Sequence, residues 1–266
     1  MKYIKSSSRD FRDMFENSIS VNTISEKLIC CSPKDDAIEV RKRMDTADFD
    51  VLGVNENNQV SGYVEKTNLR AGHCKEYQNI FHPSQLIANS TPLIDILPIM
   101  KENNWIFVLE KNHVTSIVTR ADLQKAPMRM FLFGLVTLLE MNMQKIIVSF
   151  YARNAWRSFL PPRRLDSARA LLCERQRRNE AISLADCLQF CDKTQIIARS
   201  EKLRSKLGIQ DEGLIKQRML VIEGLRNRLA HAQDIVTGSS WEEVIDLTEY
   251  IGLLNQRCEE IGTSRK

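Results

Sequence analysis

An internal repeat constrains the first half of the sequence more than any other feature. Residues 36–69 predict an amphipathic helix, an apolar strand at 51–54, a polar turn, a second strand and the start of another helix. Residues 93–123 follow the same order, with the first strand at 106–109. Short apolar strands flanked by helices indicate a small α/β unit with a covered sheet. The repeat predicts two such units in the first half of the chain.

The second copy ends in the run Ile-Val-Thr-Arg-Ala-Asp-Leu at 117–123. The two copies together resemble a CBS-domain pair, whose repeats end in an apolar run, Thr or Ser, two residues and Asp before a helix. A helix N-terminus offers N–H groups and a positive dipole end to phosphate. The resemblance implies an adenine-nucleotide site (AMP, ATP or a cyclic relative) in the cleft between the repeats. It places Thr119 toward phosphate and Asp122 on ribose, and Arg120 and Asn68 complete the predicted site.

The first copy departs from this pattern, because Glu65 stands where the phosphate-side hydroxyl belongs. A carboxylate there repels phosphate, although Asn68 can still bond a ribose. One working site and one degenerate or altered site are therefore expected. An alternative stays open, since Thr, two residues and an acidic residue is also a helix-capping pattern, and many CBS pairs only mediate dimerisation.

After residue 126 the pattern changes from short strands to long helices. The prediction is an N-terminal extension at 1–19, a tandem CBS module of α/β class at 20–126 and an all-α domain at 127–266. Helices are predicted at about 128–158, 163–178, 181–206, 211–231 and 240–260, broken by proline and glycine. The fold class is thus a two-domain chain, α+β followed by an all-α bundle of four or five helices.

The run Glu-Gly-Leu-Arg-Asn-Arg-Leu-Ala-His at 223–231 is the most informative part of the second half. Arg226, an Asn directly after it and His231 near the end of a bundle helix resemble the signature of HEPN ribonucleases. The resemblance implies a composite active site in a homodimer or higher homo-oligomer, no catalytic metal or cofactor, and products with a 2′,3′-cyclic phosphate. His231 would transfer protons near neutral pH, Arg226 would hold the scissile phosphate, and Asn227 would orient the phosphate or His231.

Helical periodicity supports this placement, because an apolar stripe is expected on one face of the helix and Asn227 and His231 on another. The stripe consists of Ile215, Met219, Ile222, Leu225 and Leu229. Taken singly, His231 could instead cap the helix C-terminus and Arg226 could lie on a solvated face.

Two further features of the helical half each allow two interpretations. Glu140 belongs to a polar seam with Thr137 and Gln144, and it either orients Arg226 as part of the active site or forms a structural ion pair. Basic residues concentrate between 153 and 206, with Trp156 and Phe159 nearby. They either follow an RNA backbone while an aromatic ring stacks on a base, or form a solvated surface.

Composition narrows the cellular location and the kinds of structural site that are expected. Seven cysteines without a C-x-x-C pair favour a reduced, cytoplasmic chain without structural zinc. The N-terminus lacks a signal-peptide core. The apolar run at 131–150 is interrupted by polar residues, which favours a buried helix over a membrane span.

The expected function is a nucleotide-regulated endoribonuclease, parallel in logic to the CARF–HEPN effectors of CRISPR immunity, with phage defence or toxin activity by analogy. The alternatives are a non-catalytic nucleotide-sensing scaffold and a HEPN partner of a nucleotidyltransferase.

Overall fold

A computed structural model of the chain describes residues 8–263. The described residues form two compact units, one of which is Met14–Met128, while the other consists mainly of residues 129–263. The predicted extension at 1–19 lies outside the described residues over 1–7, and its later part belongs to helix α1 (Ser8–Ser18). The last three residues of the predicted helical domain also lie outside the described range.

The unit Met14–Met128 contains two small sheets and two helices. The strands are β1 (Glu26–Lys27), β2 (Cys30–Cys31), β3 (Val51–Glu56), β4 (Gln59–Glu65), β5 (Leu86–Ala88), β6 (Trp105–Glu110) and β7 (His113–Thr119), and the helices are α2 (Ala37–Ala47) and α3 (Ile96–Glu102). One sheet has the strand order β1-β7-β6-β5 and the other β2-β3-β4. This two-sheet α/β arrangement is the one that the internal repeat predicts.

The hairpins of the two repeats align in sequence without a gap. Strands β6 and β7 begin and end 54 residues after β3 and β4, and the register irregularity at Val54/Asn55 recurs at Val108/Leu109. The turn residues with positive φ, Asn57 and Asn58, likewise correspond to Lys111 and Asn112. Equivalent positions in the two copies can therefore be compared directly.

Each sheet is completed by a segment that precedes the other repeat. Strand β1, ahead of the first repeat, pairs with β7 of the second, with Glu26 opposite Ile117. In return Asn79, ahead of the second repeat, bridges to Tyr63 in β4 of the first. The backbone at Asn79 leaves no room for a side chain at Gly62, because a Cβ there would lie 2.3 Å from the Asn79 carbonyl oxygen.

Aromatic side chains pack the two sheets together. The ring of Phe107 lies 4.9 Å from that of Tyr63 and 4.7 Å from that of Phe81, in tilted and edge-on geometry. Such pairs bury large apolar area and add about 1 kcal/mol each beyond area burial. The two repeats thus share one core cluster, while a second cluster belongs to the first repeat.

The remainder of the described chain is helical, as predicted. Its elements are α4 (Ala126–Phe150), α5 (Pro162–Arg177), α6 (Phe190–Arg199), α7 (Glu201–Lys206), α8 (Glu212–Ala230) and α9 (Trp241–Thr263). The predicted apolar stripe of α8 is confirmed, since all five of its residues are buried. By length and composition alone α4 could cross a membrane, and a little more than half of its most apolar stretch is buried.

Two helix predictions were wrong in their boundaries. The helix predicted at 128–158 ends at Phe150, because Arg153 and Asn154 adopt left-handed φ and a 3₁₀ turn runs to Phe159. The helix predicted at 181–206 is divided into a 3₁₀ turn (Leu184–Cys187), α6 and α7. Capping side chains explain the second division, since Ser183 and Gln189 form capping boxes and Ser200 accepts from the Leu203 amide.

Candidate functional site

A cleft of about 420 Å³ lies between the two repeats. Its walls come from β1 and the residues that follow it, from the loop before β3, and from the end of β7. The lining residues are Glu26–Ile29, Asp48–Val51, Asn104, Trp105, Ile117 and Thr119–Asp122. The volume lies in the range of small-molecule sites. Three of the four predicted nucleotide-binding residues, Thr119, Arg120 and Asp122, are therefore brought together in one cleft.

Asp122 is the best-connected polar residue of this cleft, and it is 7% exposed. Its Oδ2 accepts hydrogen bonds from the Thr119 amide at 2.7 Å and from the Thr119 hydroxyl at 2.9 Å. Its Oδ1 lies 2.8 Å from the ammonium of Lys125. A carboxylate offers about four acceptor positions, so that about one remains for a ribose hydroxyl.

Thr119 begins a short 3₁₀ helix, Arg120–Gln124, through a capping box with Asp122. Both interpretations of the motif therefore apply to the same residues, because the capping pair also lines the cleft. The hydroxyl hydrogen of Thr119 is used by Asp122. A hydrogen bond from Thr119 to a phosphate oxygen requires this hydroxyl to rotate away from the carboxylate.

Two cations at the cleft, Arg120 and Lys125, are held by groups of the same unit. The Arg120 guanidinium donates to the carbonyl oxygens of Met100 and Lys101 at 3.3 and 3.2 Å. Lys125 donates to Ile24 O at 2.6 Å and pairs with Glu26 as well as Asp122. Burial works against the ammonium, but the two carboxylates outweigh it and raise the pKa of Lys125. Lys125 therefore stays charged and fixes Asp122.

The equivalent position in the first repeat is built differently. Glu65 corresponds to Thr119, and its Oε1 accepts from Asn79 Nδ2 at 3.4 Å instead of capping a helix. The helix start predicted at 66–69 was wrong, since these residues form a turn in which the Asn68 amide donates to Glu65 O at 3.0 Å. Asn68 is exposed and does not line the cleft that holds Asp122.

The Arg–His motif lies at the C-terminal end of α8. Asn227 and His231 are exposed and Arg226 is half-buried. Within residues 8–263 their side chains form no hydrogen bond or ion pair. Asn227 and His231, four residues apart, share one face of the helix, and Arg226 flanks that face next to the buried stripe. The end of α8 thus presents a donor, an amide and an imidazole to an external group.

His231 caps this helix within a Schellman motif. The Ala232 amide donates to Leu229 O at 3.3 Å and the Gln233 amide donates to Arg228 O at 2.9 Å. Ala232 occupies the left-handed position with φ 53°. Glycine is the usual residue there, because a Cβ in this conformation costs about 1–2 kcal/mol. The helix end that carries His231 is therefore strained.

Two arginines hold this strained end in place. Arg129, in the first turn of α4, donates to Arg228 O at 3.2 Å and to Gln233 O at 2.7 Å. Arg228 Nε in turn donates to Ile235 O at 3.0 Å. The two acceptors of Arg129 lie on either side of His231 in the sequence. Arg129 thus bridges the helix end and the loop that leaves it.

Glu140 belongs to a structural ion pair. Its Oε1 lies 2.9 Å from the ammonium of Lys193 on α6, and Lys193 is 5% exposed. The interpretation that pairs Glu140 with Arg226 is therefore wrong. The same side of α4 continues with Gln144, which donates to Asp186 at 2.6 Å.

Six of the thirteen basic residues between 153 and 206 form ion pairs within their own unit. Arg164 pairs with Asp192 at 2.6 Å and Arg175 with Glu180 at 2.6 Å. Trp156 is fully buried and cannot stack on a base, so that part of the expected RNA surface was wrong. No cluster of three or more His, Cys, Asp or Glu side chains suited to a metal ion occurs among the described residues.

Sequence reasoning missed the residues that support the two sites. Lys125 and Arg129 were not among the predicted site residues, and neither were Asp48 and Trp105 in the cleft walls. The repeat itself offered one signal, because Trp105 and Val51 are equivalent positions and both line the cleft. No comparable signal marked Arg129, whose partners lie about 100 residues away in the sequence.

No protein-family model and no curated protein matches the sequence. Solved structures similar to it include an uncharacterized conserved protein from Pyrococcus horikoshii, with 20% identity and a TM-score of 0.37 over 40% of this chain and 90% of that one. A CBS domain-containing protein of unknown function from Bacillus anthracis shares 11% identity, with a TM-score of 0.37 over 42% and 94%. CBSX2 in complex with AMP shares 13%, with a TM-score of 0.35 over 39% and 92%.

Each of these likenesses spans about two fifths of the chain. The chain combines an α/β module of two internal repeats with a helical remainder.

Proposed function

We propose that this protein is a cytoplasmic, metal-independent endoribonuclease of the HEPN type, regulated by an adenine nucleotide in the cleft of its CBS-like unit. The observation that carries the proposal is the end of α8. There the side chains of Arg226, Asn227 and His231 have no partner within residues 8–263, whereas Arg164 and Arg175 of the same unit are paired. Polar side chains that reach solvent at an ordered helix end and bind no other protein group are available to a substrate.

The chemistry requires little more than these groups, because RNA carries its own nucleophile. The 2′-hydroxyl attacks the adjacent phosphorus, and the bond from phosphorus to the 5′-oxygen breaks. His231 takes the 2′-hydroxyl proton or supplies a proton to the leaving oxygen. Arg226 donates two parallel hydrogen bonds to the phosphate and stabilises the charge that develops on it. The products are a 2′,3′-cyclic phosphate and a 5′-hydroxyl.

A second copy of the chain would supply the second histidine and arginine. On α8, Leu220 lies seven residues before Asn227 and eleven before His231, and hence on the same face. Leu220 is 69% exposed, and Leu214 and Val221, which share an adjacent face, are also exposed. Exposed large apolar side chains beside a functional group are typical of interfaces. A homodimer or higher homo-oligomer through α8 would cover them and join two Arg–His pairs.

The cleft in the α/β unit supports the nucleotide part of the proposal. Asp122 is fixed by Thr119 and Lys125 and retains about one acceptor position for a ribose hydroxyl. The corresponding residues of the first repeat, Glu65 and Asn68, form no such pair. One nucleotide per chain is therefore expected.

The experiment is cleavage of a labelled single-stranded RNA by the full chain in EDTA, with and without AMP or ATP. His231→Ala should lower the rate about 100-fold or more. His113→Ala is the matched control, because His113 is an exposed histidine of the α/β unit. Calorimetry with AMP should give one site, which Asp122→Asn weakens.

Equal rates for the wild type and His231→Ala would overturn the nuclease. Absence of nucleotide binding would overturn the regulatory part alone. If the folded protein binds nucleotide and cleaves nothing, a non-catalytic sensing scaffold or a partner of a nucleotidyltransferase becomes the better proposal, and the exposed face of α8 is then its assembly surface. Phage defence or a toxin role rests on the analogy with sensor–nuclease fusions.

A further inference from the structure

The first turn of α4 contains an arginine that holds the end of α8. Arg129 donates to the carbonyl oxygens of Arg228 and Gln233, which lie on either side of His231 in the sequence.

We propose that Arg129 is a positioning residue for His231. The proposal rests on the proposed function and adds a residue that holds the candidate catalytic histidine in place. Arg129 acts through the backbone, since it donates to Arg228 O and Gln233 O.

The need for a positioning residue follows from the strain at Ala232. A non-glycine residue with φ 53° persists only where its surroundings hold it, because the conformation costs about 1–2 kcal/mol. Arg228 O already accepts from the Gln233 amide and receives a second hydrogen bond from Arg129. Without Arg129 the end of α8 would relax, and His231 would lose its fixed position.

The first test measures cleavage by the full chain without nucleotide. Arg129→Ala should lower kcat about tenfold or more and change KM less than about twofold, because misplacement of a catalytic group affects the chemical step. Arg129→Lys should recover part of kcat, since an ammonium can donate to one of the two carbonyls. Arg218→Ala is the control, because Arg218 lies over the Tyr250 ring elsewhere on α8. A rise in KM with unchanged kcat would overturn the positioning role. An equal decrease of kcat in Arg218→Ala would also overturn it.

A second measurement does not depend on cleavage. Hydrogen exchange of the Ala232 and Gln233 amides reports the Schellman bonds directly, and it should be faster in Arg129→Ala than in the wild type. Unchanged exchange would overturn the positioning role even if the protein cleaves no RNA. The failure of the nuclease proposal is thereby distinguished from the failure of this one.

Discussion

In the cleft between the repeats, Asp122 holds three donors from its own unit, whereas Arg226, Asn227 and His231 hold no partner within residues 8–263. The first arrangement contributes to the stability of the fold before any ligand binds. The second contributes little to stability and leaves its groups to an outside partner. The two candidate sites should therefore respond to substitution in opposite ways.

The largest expected effect concerns Arg226. Arg226→Ala should reduce RNA cleavage about 100-fold or more, because the charge on the transition state loses its donor. The free energy of unfolding should change by less than about 0.5 kcal/mol, since no internal partner is lost. Arg228→Ala serves as the comparison, because Arg228 donates to Ile235 O and should affect stability. A destabilisation by Arg226→Ala equal to that of Arg228→Ala would contradict the distinction.

The opposite result is expected for Asp122. Asp122→Asn should lower the free energy of unfolding of the α/β unit by about 2 kcal/mol, because Lys125 and Thr119 lose a buried carboxylate. Asn68→Ala, at the equivalent position of the first repeat, should change it by less than about 0.5 kcal/mol. Denaturant titration followed by exchange of amides in β6 and β7 separates this unit from the helical one. Equal losses of unfolding free energy at both positions would show that Asp122 and Asn68 contribute equally to stability.

A substitution at the helix end should stabilise the protein. Ala232→Gly relieves the left-handed alanine and should raise the free energy of unfolding by about 1 kcal/mol. For a protein of this size the melting temperature of the helical unit should rise by about 2–4 °C. Ala230→Gly, two residues earlier in regular helix, should have the opposite sign. A decrease in Ala232→Gly would argue against the Schellman motif.

The smallest effects concern the cysteines, which differ in burial. Burial raises the pKa of the Cys258 thiol to about 12, and burial together with the neighbouring Cys74 raises that of Cys31 to about 12. Cys173 is exposed. Iodoacetamide at about pH 8 should therefore modify Cys173 and spare the other two, because the thiolate is the reactive form. Mass mapping of the alkylated peptides measures how much of each cysteine is modified. Rapid modification of Cys258 would indicate local opening of α9.

The repeat and the helical half were predictable because their signals are periodic and local. The strands of the two copies, the apolar stripe of α8 and the surface position of His231 all follow from spacing in the sequence. The breaks at Arg153 and Ser200 were not predictable in the same way, because the local conformation of a few residues decides them. Ser200 accepts from the Leu203 amide and starts α7, which divides an otherwise continuous helical pattern.

Partners distant in sequence set the remaining limit. Glu140 pairs with Lys193, and Arg129 binds carbonyls about 100 residues away. The apolar periodicity of α4 does not show whether its carboxylate pairs with a lysine on α6 or with an arginine on α8. The identity of a candidate residue was therefore easier to predict than its partner.

The exchange of segments between the repeats bears on how such a module can evolve. Because β1 completes the sheet of the second repeat, and Asn79 bridges to the first, a single repeat would leave a sheet edge unpaired and prone to association. A duplicated gene segment gains a stable fold only when both copies are present. The module should therefore grow by pairs, and a chain cut between the repeats should regain its structure when its two halves are mixed.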